Sequence, residues 1–526
     1  MKSGQPRGSL LRRIVRRTLR IAGLLLFILI GAIVLRALYA FHDRHPGYKV
    51  ALNLDSHVVP AAELASLRTG FSRVKINPVL SENRPVWIAG FSQNRAATKI
   101  HDDLWAIACV LDDGRTRVGI VALDAIGFFH DEVIEVRKQV HPSAKIDYVV
   151  ICSTHNHSTP DLLGLWGPDY AHTGVDETYR ANVIAASAKV LERAAAALQP
   201  ARVAFHEIPT PPEEFTADTR EPQVFDPDIR VMHFTSPTNG ATLGSIVGWA
   251  NHPETVWSRN TEITADFPGY LRDTLENGVH ERDLMLRQGA GGTHLFINGA
   301  IGGLISTTPK VTVRDPFLKQ DYTEPSHDKA RALGRALAAR ILPKLEATNV
   351  VSLDRVPISV QARTIELPLD NKGFLLAPIL GVVDRGHVKW KTIRSEVALL
   401  TIGEASVACI PGEIYPEIVN GGIETPEGAD FPAKIIEAPP IREMMPGKFK
   451  FVFGLANDEI GYIIPKSEFD RKAPYLYGAK KAPYGEINSI GPDVAGIIHE
   501  SFRQMTGKTN RLIIEPPRFG VQTSLK

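Results

Sequence analysis

Two histidines one residue apart close an apolar run: Tyr148-Val-Val-Ile-Cys-Ser-Thr-His155-Asn-His157-Ser-Thr-Pro160. Residues i and i+2 of an extended chain face the same side, so His155 and His157 can converge on one ion or one substrate group. The plainer alternative is a pair of solvated loop histidines. A second run, Ile246-Val-Gly-Trp-Ala-Asn251-His252-Pro253-Glu254, delivers a histidine in the same way. A third, Val407-Ala-Cys-Ile-Pro411-Gly412-Glu413, ends in a tight Pro-Gly turn and then a carboxylate. Singly, a histidine or glutamate at a strand end is more often an ordinary polar loop residue. Together, two histidines and one carboxylate from separate strand ends suit a catalytic zinc site with an open position.

These tips need strands to carry them. Short runs rich in valine and isoleucine supply them: Val118–Leu123, Tyr148–Cys152, Ser245–Ala250, His294–Ile297, Val397–Thr401 and Val407–Ile410. Each ends at polar residues or at Gly or Pro, as buried strands do. Tyr179–Leu198 and His327–Leu345 carry apolar residues at three- and four-residue spacing and read as helices. Strands mixed with helices predict an α/β domain, with α+β as the variant, and open α/β sheets place their sites at strand ends. Pro416–Gly447, rich in Pro, Gly and acid, reads as a long surface excursion. Two other His-x-His schemes fit poorly. The metallo-β-lactamase pattern needs an Asp-His pair soon after, and Asp161 has no histidine beside it. An amidohydrolase barrel places the pair on its first strand, whereas several strands precede this one.

Lys2, Arg7, Arg12, Arg13, Arg16, Arg17 and Arg20 open the chain with no acid among them. Taking these seven from 60 basic side chains leaves a body slightly acidic against 58 acids, which excludes a basic nucleic-acid binder. Ile21–Phe41 is apolar except for Arg36, whose head can snorkel from near one end. That is enough to span a bilayer, and the preceding arginines place residues after 41 outside the cytoplasm. A cleaved signal peptide is the alternative, although Leu38 spoils a small-residue cleavage site before Ala40. Cys109, Cys152 and Cys409 lie in apolar runs, are odd in number, and are read as buried thiols without function.

Several further segments, in order, carry a family likeness. Thr154-His155-Asn156-His157-Ser158 resembles the Thr-His-Thr-His-Ser motif of the neutral/alkaline non-lysosomal ceramidases, zinc amidases that split ceramide. Thr69–Pro78, Ile100-His101-Asp102-Asp103-Leu104, Trp249–Pro253, Pro411-Gly412-Glu413, Asn457–Phe469 and Tyr484–Pro492 resemble further family segments across residues 67 to 500. The resemblance implies that His155, His252, Glu413 and Tyr462 hold Zn2+. It implies that His157 sits beside the ion or contacts substrate, and that Arg220 and Tyr484 bind substrate. The family's Gly-Asp-Val-Ser-Pro segment falls near Gly302-Gly303-Leu304-Ile305-Ser306. Here a glycine replaces the aspartate, and Ser306, the nucleophile candidate, is reached one residue late. The family's β-sandwich domain after the catalytic domain is expected to be missing, which would open the substrate class.

The combined expectation is one exported zinc-hydrolase domain of mixed sheets and helices, acting on ceramide or a related acylated lipid. Residues 1–20 form a basic cytoplasmic segment, 21–41 an anchor in the cytoplasmic membrane, 42–66 a linker, 67–515 the hydrolase domain and 516–526 a tail. The domain faces the periplasm or exterior. A zinc esterase or lactonase, and a non-catalytic envelope protein keeping the fold, are the other two readings.

Overall fold

The computed structural model describes residues 7–60, 63–431 and 434–507; the expected tail and the expected end of the domain at 515 lie outside them. Three sheets dominate. In the first, the strands run in the order Tyr148–Ser153, Arg117–Leu123, Trp105–Asp112, Arg68–Lys75, Gln199–Pro200. In the second the order is Thr293–Asn298, Thr242–Trp249, Ile229–Thr235, Arg202–Ile208. In the third it is Ala51–Asp55, Ile358–Pro368, Thr392–Ile402, Ala405–Cys409, Phe449–Phe453. Each sheet has one parallel pair among antiparallel ones. Helices His130–Gln139 and Asp266–Asn277 lie between the parallel partners of the first two sheets, supplying the crossover that parallel strands need.

The sheets share one core. Cys109, Ile120 and Cys152 from the first meet Met232, Ile246 and Leu295 from the second and Leu400, Cys409 and Phe451 from the third. The opposite faces are buried as well. Ala106, Ala108 and Val110 pack with Val183 and Leu191 of helix Glu177–Ala196, and Val397, Leu399 and Ala408 pack with Ile498 and Phe502 of helix Val494–Met505. Strands covered on both faces read as unbroken apolar runs rather than alternation, which is the pattern the sequence shows. All three thiols are free and buried. Of the two long body helices, His327–Leu345 has the expected bounds, and Glu177–Ala196 begins and ends two residues earlier than expected. Asp176 accepts from the amides of Thr178 and Tyr179, and Ser326 accepts from that of Lys329.

Helix Arg7–Ala40 contains a stretch, Arg12–Ala40, long and apolar enough to cross a membrane; a signal sequence passes the same test. Its far end is fastened to the body. Arg36 donates to the carbonyls of Pro378 and Ile379, both at 3.0 Å, and Arg44 pairs with Asp384. The stretch expected as a linker is built into the fold: Asp43 pairs with Arg394, and Ala51–Asp55 forms the edge of the third sheet against Ile358–Pro368. The excursion from Pro416 to Gly447 is also more deeply packed than its composition suggests, with its own Ile418, Val419, Ile441 and Met444 buried in the core.

Candidate functional site

Each sheet sends one donor to a common point. The strand Tyr148–Ser153 leads to His155, Thr242–Trp249 leads to His252, and Ala405–Cys409 leads to Glu413. Nε2 of His252 lies 3.0 Å from Oε2 of Glu413, and Nε2 of His155 lies 3.4 Å from the same oxygen. His157 joins them, one ring nitrogen of each of the three histidines lying within 4.8 Å of the others. Glu413–Ile414 pairs in parallel with Tyr462–Ile463, which sets Glu413 directly beside Tyr462. All five side chains are buried or nearly so.

His155 and His157 converge for a different reason from the extended geometry expected of them. The strand stops at Ser153, and His155 takes a left-handed backbone, φ 63°. That conformation is unusual for a residue with a side chain and persists where the surroundings over-determine it. Here Thr154 and Asn156 donate their amides to the carbonyls of Leu123 and Ala125, and the Asn156 side chain binds Thr264 and Ser158. Gly90 lets the chain pass the His157 ring, since any side chain there would meet the ring at 2.6 Å.

The hydrogen bonds fix which nitrogens face inward. Nδ1 of His155 lies 2.7 Å from the Ile126 carbonyl, and Nδ1 of His252 lies 2.7 Å from that of Ile305. A carbonyl only accepts, so each Nδ1 carries the proton, the usual way a ligating histidine is oriented. Both Nε2 atoms, bare in the neutral ring, then face a carboxylate oxygen, acceptor against acceptor. A proton or a cation must sit among them. Burial opposes charge on His155, but Glu413 outweighs it and holds the pKa up to about 9. Burial also raises Glu413, and His155 and His252 overcome it, holding its carboxyl far below the usual range. Imidazoles, a carboxylate and a phenol with inward lone pairs are a donor set that fits a divalent metal such as zinc.

Other groups complete the surroundings. Burial and the two neighbouring histidines hold the His157 imidazole well below the usual histidine range. Its Nδ1 lies 3.3 Å from Oε2 of Glu254 without hydrogen-bond alignment. Burial raises the Glu254 carboxyl, opposed by His252 and the Ser306 hydroxyl. Ser306 bridges the backbone beside both His252 and Ala217, and its buried hydroxyl makes no aligned hydrogen bond. A Cβ on Gly303 would stand 3.0 Å from the Asp218 carboxylate, so an aspartate there would face another acid. Glu459 is pushed up to about 8 by burial and by Glu413. Glu254 and Glu459 were not among the expected site residues; the available signal is an acid two or three residues from a ligand candidate, His252 or Tyr462.

His155, His157 and Glu413 line a cavity of about 100 Å³, walled by Ile126, Phe129, Leu163, Trp166, Phe374 and Val383. Tyr462 and Tyr484 also line it; Arg220 does not. Arg220 is buried elsewhere, 2.8 Å from Glu486 and over the ring of Tyr415. Glu486 belongs to the short helix Tyr484–Ile487, which begins at the pocket residue Tyr484.

No protein-family model and no curated protein matches the chain. Solved structures do. Neutral ceramidase from Pseudomonas aeruginosa superposes with a TM-score of 0.61 at 17% identity, over 84% of this chain and 74% of that one. A ceramidase complexed with C2 gives 0.60 at 16% identity, over 84% and 75%. At such identity the likeness is one of architecture: the chain has the mixed α/β fold of the neutral ceramidases.

Proposed function

We propose that this protein is a zinc-dependent amidohydrolase that cleaves the amide of ceramide or a related acylated lipid. The carrying observation is the convergence of His155, His252 and Glu413, with inward-facing lone pairs, beside an apolar pocket that His155 and Glu413 line. The pocket walls suit an acyl chain, and the polar cluster suits the polar bond to be cut. His155, His252, Glu413 and Tyr462 would hold zinc, which supplies an acidified water and polarises the scissile carbonyl. A small turn of His157 brings its Nδ1–H onto Glu254, leaving Nε2 to accept the proton of the nucleophile and return it to the leaving amine. Tyr484, its phenol pushed up to about 12 by burial with Glu413 and Glu254 nearby, keeps its proton to donate to the carbonyl oxygen as charge develops. Arg220, through Glu486, positions the helix that carries Tyr484.

The proposal extends to placement. Arg7–Ala40 is a retained single-pass anchor in the cytoplasmic membrane, because removing it would strip Pro378 and Ile379 of their Arg36 bonds. The body, from about residue 67 on, faces the far side. Elemental analysis of the purified full chain, paired with hydrolysis of matched acyl amides and esters, tests the reading. One equivalent of zinc and preference for the amide are expected. Metal-free protein, or ester cleavage alone, overturns it.

A further inference from the structure

The helix Lys372–Leu380 has the sequence Lys-Gly-Phe-Leu-Leu-Ala-Pro-Ile-Leu. A helix on a protein surface normally turns polar residues outward. This one turns outward Leu376 and Leu380, 52% and 50% exposed. The apolar surface continues onto Ile487, 58% exposed, whose carbonyl accepts from Asn371 at the start of the helix. On its inner side the same helix lends Phe374 and Pro378 to the wall of the pocket. One element therefore forms both the pocket wall and an unprotected apolar face.

What covers that face is indicated by the neighbouring helix. Arg7–Ala40 packs against Lys372–Leu380, and Arg36 occupies the carbonyls at its C-terminal end, where a cation is favoured. Arg36 lies four residues before the end of the membrane-length helix, a rise of about 6 Å. That depth matches the roughly 5–10 Å at which interfacial helices sit. Trp390 is 61% exposed and stands edge-on to Phe41, centroids 4.7 Å apart, where the long helix leaves the apolar zone. Tryptophan at such a level is characteristic of the membrane–water boundary. Exposed Lys389 and Lys391 flank it, with Lys372 exposed at the other end of the helix.

We propose that Lys372–Leu380 and Trp390 lie in the lipid–water interface of the membrane that Arg7–Ala40 crosses, so that a lipid enters the pocket sideways from that leaflet. The docking rests on reading Arg7–Ala40 as a membrane span, and the entry route rests on the function proposed above. The occupant is a bilayer surface and not a protein, because the contact is continuous with a helix whose apolar surface is itself open to lipid.

The full chain is reconstituted in phosphatidylcholine–phosphatidylglycerol nanodiscs with nitroxide labels at Leu376→Cys or Leu380→Cys; the three native cysteines are buried. Labels at both positions should be more accessible to oxygen than to a water-soluble nickel chelate. Nickel accessibility equal to that of a label at the exposed hairpin residue Leu284 overturns the docking. A Leu376→Glu/Leu380→Glu variant should cleave a long-chain acyl amide in vesicles at least tenfold more slowly. Its rate on a short-chain soluble analogue should stay within twofold of wild type. Equal loss on both substrates, or no loss on either, overturns lateral entry. Should the wild type cleave neither substrate, the proposed function and the entry route fall together, and the label depths still decide the docking.

Discussion

Glu396 and Glu413 are both glutamates buried at the third sheet, and both are held below the ordinary carboxylate range. Their surroundings differ in one respect. Glu396 receives both ends of the Arg137 guanidinium at 2.7 and 2.8 Å, the Tyr148 hydroxyl at 2.6 Å and the Asn457 amide at 3.0 Å. Every contact is a donor, so the network closes on itself. Glu413 faces two imidazole nitrogens whose own donors are spent on backbone carbonyls. That set stays open until a cation or a proton enters. Burying a polar cluster is costly in both places. Full satisfaction marks the first as architecture, and a surplus of acceptors marks the second as a place where something binds.

The contrast breaks first at His155. His155→Ala should remove zinc and hydrolysis together, on the order of 1,000-fold or more in rate, since metal stabilisation is worth several kcal/mol. Metal analysis and turnover are read on the same sample, and a variant that keeps its zinc equivalent contradicts the assignment. Glu396→Ala should do the opposite. Leaving the buried Arg137 without its partner destabilises by ~3–5 kcal/mol in urea titrations, while the folded fraction keeps its metal. Because the folded pKa of Glu396 is lowered, its contribution is complete above the unfolded value of about 4.3 and fades as pH falls below it. Glu396→Gln should therefore flatten the stability profile in acid; an unchanged profile would locate the acid sensitivity elsewhere.

Much of the fold was open to reading because both faces of the strands are buried, which leaves Val118–Leu123 or Val407–Ile410 uninterrupted. The two long body helices announce themselves by their period. The site was only partly open. The three tips could be found as polar ends of apolar runs, but the left-handed turn at His155 has no period to betray it. Arg36 could be seen as an odd charge in an apolar stretch, yet its partners lie some 340 residues away, beyond any local pattern. Arg220 was drawn in by a short motif, and its ion pair with Glu486 shows only in three dimensions.

Two smaller effects sharpen the comparison. Glu254→Gln should keep zinc and slow hydrolysis about 10–100-fold, the usual scale for a residue that orients another. Its pH–rate profile should shift with it, whereas a purely structural role would leave that profile in place. Ser306→Ala should cost the least, within about tenfold, or roughly 1.4 kcal/mol of barrier. A variant as inactive as His155→Ala that still holds its zinc would make the serine hydroxyl the attacking group.

The supply of one donor by each sheet also sets an order of events in the life of the molecule. No segment of the growing chain carries a competent site, because Glu413 and Tyr462 follow His155 and His252 only after most of the body has been made. On the proposed reading, zinc could not be captured by an early segment and carried along; it would be acquired only where the three sheets have assembled. An ion held by that set would act as a clasp across all of them, so its loss would be felt by the whole body at once.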